Sequence, residues 1–141
     1  VAAGQLELEI TESIFIDKPT ETIARLSELR DAGVRLSLDD FGTGYSSLSY
    51  LHTLPISCLK IDRSFVEELG QRDSALALAR TIVALARALR LKVVAEGVET
   101  EAQASMLREL GCHELQGYLF AEPLPGPAFA HYCREAAGAL A

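Results

Sequence analysis

Short strand-like runs alternate with helical stretches from one end of this chain to the other. Residues 6–10 and 34–38 alternate apolar and polar side chains, and residues 58–62, 92–96 and about 115–118 read as three further strands. Their starts recur at intervals of roughly 22 to 34 residues, with a helical pattern in each gap. Pro19 suits the first turn of a helix; Ile23, Leu26 and Leu29 carry its period, and Gly33 suits its end. A short helical stretch closed by Pro55 and another over residues 64–69 are expected next. Asp73 is expected to N-cap a long helix running to about Arg90. Thr100 opens a capped helix that Gly111 ends, and a last helix is expected from about Pro127 to Ala137. Strands joined by helical crossovers of this length pair in parallel, so the sequence predicts the α/β class, not a sandwich.

Composition narrows the functions open to such a chain. Its 13 basic and 20 acidic side chains give a net charge of −7, which disfavours non-specific binding to nucleic-acid backbones. No DNA or RNA partner is expected. A phosphate-bearing ligand remains compatible, because a bound metal ion inverts the local sign. Cys58, Cys112 and Cys133 are odd in number and lack C-x-x-C spacing, so neither a disulfide framework nor a zinc site is expected. The most apolar stretch, residues 75–91, is interrupted by Arg80, Arg87 and Arg90, so no membrane segment is expected in this chain. The N-terminus lacks a signal-peptide pattern, and a cytoplasmic location is expected. The chain begins with Val1 and not Met, so its start is expected to be a cut.

The informative residues are those at the carboxyl ends of the expected strands. Glu9 and Glu12 end the first, Asp39 and Asp40 the second, Lys60 and Asp62 the third, Glu96 and Glu99 the fourth, and Gln116 lies in the fifth. Each has a plain reading by itself: an acid capping a turn, a solvated edge residue, a surface lysine. Together they fall where parallel α/β folds bind ligands. Clustered carboxylates repel one another unless a cation intervenes, and hard divalent cations prefer oxygen ligands. The set therefore points to metal-assisted phosphodiester chemistry, with Lys60 as a mobile positive charge. His52, His113 and His131 form no competing constellation, and the G-x-G at 42–44 is too short to be a dinucleotide fingerprint.

The runs Glu9-Ile10-Thr11-Glu12-Ser13, Asp39-Asp40-Phe41-Gly42-Thr43-Gly44-Tyr45-Ser46-Ser47-Leu48, Lys60-Ile61-Asp62, Ala95-Glu96-Gly97-Val98-Glu99-Thr100 and Gln116-Gly117-Tyr118 occur in this order. In these motifs the chain closely resembles the C-terminal part of the EAL domain, the cyclic-di-GMP phosphodiesterase module of bacterial signalling proteins. The resemblance implies an enzyme that opens cyclic di-GMP to linear pGpG with two Mg²⁺ or Mn²⁺ ions. By the same resemblance, Glu9, Asp39 and Asp40 match metal ligands, Asp39 being shared between the two ions. Lys60 matches the lysine on the attacking water, Glu96 the acid near the second metal, and Gln116 a residue that orders that lysine and water. Glu12 matches a support for the loop 41–47, which in the family couples dimerisation to metal binding, so a homodimer of the parent domain is implied.

The resemblance also implies a partial (β/α)8 TIM-type barrel of about five βα units, its N-terminal strands missing. Residues 1–141 would be the C-terminal portion of a single EAL domain, since a closed barrel takes about 250 residues. The Glu-Ala-Leu signature, a metal-binding Asn and a phosphate-contacting Arg would lie upstream. The chain alone is therefore expected to be inactive, and membrane anchoring of the parent protein through other domains is left open. The alternatives are a non-catalytic module that binds cyclic di-GMP or regulates, and another metal-dependent barrel enzyme acting on a phosphorylated small molecule.

Overall fold

The computed structural model describes residues 2–15, 18–42 and 51–139. Five strands, β1 (Glu7–Thr11), β2 (Arg35–Phe41), β3 (Cys58–Ile61), β4 (Lys92–Ala95) and β5 (Glu114–Leu115), form one sheet in the order β1-β2-β3-β4-β5. Every neighbouring pair is parallel. Strictly sequential parallel order is that of consecutive units in a (β/α)8 barrel. Among the described residues the α-helices are α1 (Pro19–Asp31), α2 (Arg63–Glu67), α3 (Asp73–Ala88), α4 (Glu101–Leu110) and α5 (Gly126–Ala139). No helix among the described residues is long and apolar enough to cross a membrane.

Side-chain parity divides the sheet into two faces. Leu36, Leu38, Leu59, Ile61, Val93 and Ala95 are almost wholly buried and join one core with Leu26 of α1, the α3 row Ala75, Ala79, Ile82, Val83 and Ala86, and Leu107 of α4. The alanines in that row let α3 approach the sheet closely. The opposite parity carries Glu9, Ser37, Asp39 and Lys60, so the second face is polar.

Element ends depart from the sequence reading in physically explicable ways. Asp73 is the first helical residue of α3, not its cap, because Arg72 takes the extended N-cap conformation; the aspartate then faces the helix's positive end. Asp62 leaves β3 to cap α2, its carboxylate accepting from Ser64 N at 3.0 Å. The fifth strand is two residues long and starts one residue early, because the chain turns after Leu115: Gln116 O accepts from Val98 N instead of continuing a ladder. The expected loop and helical stretch between Phe41 and Leu54 lie, over residues 43–50, outside the described residues.

Large apolar side chains stay exposed on either side of the sheet. Leu8 within β1 and Leu6 and Ile14 beside it are exposed, as are Phe120, Leu124, Phe129 and Tyr132 after β5. These are the two flanks that other strands and helices cover when a barrel closes.

Candidate active site

Lys60 occupies the centre of the polar face, only 6% exposed. Its Nζ lies 2.5 Å from Glu9 Oε1, 2.5 Å from Glu96 Oε1 and 3.6 Å from Asp39 Oδ1. Three strands thus deliver carboxylates to a cation on a fourth. Glu9, at its register position beside Ser37 and next but one to Asp39, reaches across β2 to Lys60. Burial works against the Lys60 ammonium. Hydrogen bonds to Glu9 and Glu96 and the charges of Glu96 and Asp39 outweigh it, holding the group above the ordinary lysine range.

Asp40 behaves differently from its neighbour. Adjacent strand residues should face opposite sides, yet the β2–β3 register shifts between Leu38 and Phe41, and Asp40 adopts a left-handed φ of 54°. This bulge keeps Asp40 at the site end of the strand, near Asp39 and Asp62. Partial desolvation, the charges of Asp39 and Asp62 and a hydrogen bond with Asp62 raise its pKa against the pull of Lys60. Glu12 follows β1 in a 3-10 turn, and its Oε1 accepts from Gly42 N at 3.1 Å where the loop after β2 begins.

Gln116 and Glu96 line one cleft of about 200 Å³, together with Arg63, Gly97, Glu99 and Tyr118. Its backbone N–H donates to Ala95 O at 2.8 Å. Among the described residues, no three His, Cys, Asp or Glu side chains gather into a ready-made metal cage. The reason is visible in the geometry: the Lys60 ammonium sits among Glu9, Asp39 and Glu96, while Asp40 turns toward Asp62. The donor set nevertheless fits a hard divalent cation. It is all oxygen, and a single lysine leaves four site carboxylates in excess of positive charge.

The family model described as "EAL domain" matches residues 1–123. The chain belongs to the EAL family. It is 50% identical over 134 residues to the cyclic di-GMP phosphodiesterase NbdA of Pseudomonas aeruginosa, covering 95% of this chain and 17% of that protein. It superimposes on the solved MucR phosphodiesterase–c-di-GMP complex of the same species with a TM-score of 0.87 and 49% identity, over 92% of this chain and 52% of that one. A manganese and cyclic-di-GMP complex of Klebsiella pneumoniae BlrP1 aligns with a TM-score of 0.80 and 34% identity, over 87% of this chain and 31% of that one. The chain therefore spans about a sixth of the curated relative it matches and about half of the solved MucR chain. Its five-stranded sheet is part of an EAL barrel of the TIM type.

Within this EAL chain, two features of the site had no signal in the residue pattern. Arg63 lines the cleft, yet it sits just past a strand end in a stretch without periodicity. The hydrogen bond joining Asp62 to Asp40 depends on the bulge, which alternation does not reveal. The histidines stay outside the site: His113 Nδ1 accepts from Val93 N at 3.0 Å, and His131 pairs with Glu135 on the exposed face of α5.

Proposed function

We propose that residues 1–141 are the C-terminal portion of one EAL domain that hydrolyses cyclic di-GMP to linear pGpG with Mg²⁺ or Mn²⁺. The observation that carries this reading is the convergence of Glu9, Asp39 and Glu96 on the buried Lys60, at the carboxyl ends of parallel strands. The naming of its relatives as cyclic-di-GMP phosphodiesterases supports the substrate.

In this account Glu9, Asp39 and Asp40 supply oxygen ligands to the metal pair. The bound ions would lower the pKa of a water and neutralise the leaving oxygen. Lys60 keeps its proton at working pH and orients the water through that fixed charge. Glu96 anchors Lys60 and receives or relays a proton, and Gln116, which lines the same cleft, helps order Lys60 and the water. Glu12 holds the first residue of the loop after β2 through Gly42 N. A homodimer of the complete domain belongs to the same reading.

The test is turnover of cyclic di-GMP by the complete EAL domain with Mn²⁺, product identified by chromatography. Appearance of pGpG supports the proposal. Calorimetric binding of the nucleotide without turnover would replace it with a receptor role, and a preference for a sugar phosphate with a different barrel enzyme. The 141-residue chain by itself is expected to be inactive, because one lost ligand leaves a divalent site misaligned.

A further inference from the structure

Arg63 opens α2 three residues after Lys60, and its side chain crosses to the end of the next strand. Its Nε donates to Glu67 one helical turn on, and its Nη2 donates to Glu99 Oε1 at 2.9 Å. Gly97 lies under the aliphatic stem. Its φ is a left-handed 69°, and any Cβ there would collide with Cβ, Cγ and Cδ of Arg63. The missing side chain is thus the seat of the arginine stem.

The same segment is held from its other side. Val98 N donates to Gln116 O at 3.0 Å, and Val98 O accepts from Leu119 N at 3.0 Å. Gly117 packs so closely on the Val98 backbone that it too has no room for a Cβ. Residues 96–99 therefore run between two walls, Arg63 and the turn after β5. Glu96 begins this segment, and its own N–H is fixed to Ile61 O at 3.1 Å. The path taken at Gly97 sets where the Glu96 carboxylate points.

We propose that Arg63 is a positioning residue of the site: its stem on Gly97 and its pair with Glu99 hold residues 96–99 in the path that keeps Glu96 on Lys60. The catalytic part of this inference rests on the phosphodiesterase reading; the clamp itself does not. A half-exposed Arg–Glu pair serving only general stability contributes little when removed, so a local effect on the segment distinguishes the two roles.

The experiment compares wild type, Arg63→Ala and Arg63→Lys in the complete protein by amide hydrogen exchange and by steady-state hydrolysis of cyclic di-GMP. In Arg63→Ala, the amides of Val98 and Glu99 are expected to exchange about tenfold faster while those of β3 stay unchanged. The same variant should lose about tenfold in kcat with KM within about twofold, and Arg63→Lys, which keeps the stem, should recover most of both. Unchanged exchange at Val98 and Glu99, or unchanged kcat, overturns the proposal. If Arg63→Ala lacks a cooperative thermal transition, Glu99→Gln must show the faster local exchange, and its failure to do so is equally decisive. A wild-type protein that does not hydrolyse cyclic di-GMP defeats the functional reading, while the exchange comparison still decides the clamp.

Discussion

At the scale of single residues, Lys60 and Asp40 divide what the sequence reveals from what it conceals. Lysine is rarely buried unless its charge is matched, and Lys60 is matched by carboxylates from three other strand ends. Strand alternation and the strand-end position make Lys60, Glu9 and Glu96 readable before any coordinates. Lys60→Met should lower kcat for cyclic di-GMP by about 10²-fold or more, with the substrate's KM changed far less. Asp40 was readable as an acid but not as a bulge, since a left-handed aspartate leaves no periodic trace. Asp40→Gly should therefore split stability from activity. Thermal unfolding should show the variant unchanged or about 1 kcal/mol more stable, as strain and repulsion are relieved, while hydrolysis is lost. The cysteines give a third expectation. Burial pushes the Cys58 and Cys112 thiols up to about 11, with the charges of Glu7 and Glu114 adding at Cys58, so both stay protonated at pH 8. Exposed Cys133 should react first with a thiol reagent, and the other two slowly until the protein unfolds.

At the scale of elements, legibility follows the length of the signal. Thr100 caps α4 as the sequence indicates, accepting from Gln103 N at 3.2 Å while Gln103 Oε1 accepts from Thr100 N at 3.0 Å. Gly111 closes the same helix at a left-handed φ of 95°. Both signals are local and need no tertiary information. β5 was misplaced because two residues are too few for alternation to register, and its register is set by contacts with β4. Gln103 also accepts from Glu99 N at 2.9 Å, so the α4 cap and the segment that carries Glu96 share one side chain. Thr100→Ala should cost about 1 kcal/mol of stability, measured by urea unfolding; a change within error would mean that Gln103 alone satisfies the helix start.

At the scale of the whole molecule, strand spacing and crossover length were enough to indicate five parallel βα units, and the barrel followed from the motifs that resemble the EAL domain. What the sequence could not show is how the flanks of such a sheet are covered, because that depends on residues beyond these βα units. Leu6, Leu8 and Ile14 on one side, with Phe129 and Tyr132 on the other, leave apolar surface that water does not favour. The 141-residue chain expressed by itself should therefore self-associate in sedimentation velocity as concentration rises, whereas the complete domain should reach a defined state. A chain that stays monomeric at every concentration would contradict that expectation.

On the proposed reading, the strand-end carboxylates and Lys60 form a metal-dependent phosphodiesterase site. Its most direct measurement is the rate of pGpG formation by the complete domain and its Asp39→Asn variant, each with Mn²⁺ and with excess chelator. Metal-dependent turnover is expected in wild type with Mn²⁺ and not with chelator, with a loss of about 10²-fold or more in the variant. Hydrolysis that survives chelation, or an Asp39→Asn rate equal to wild type, would contradict it.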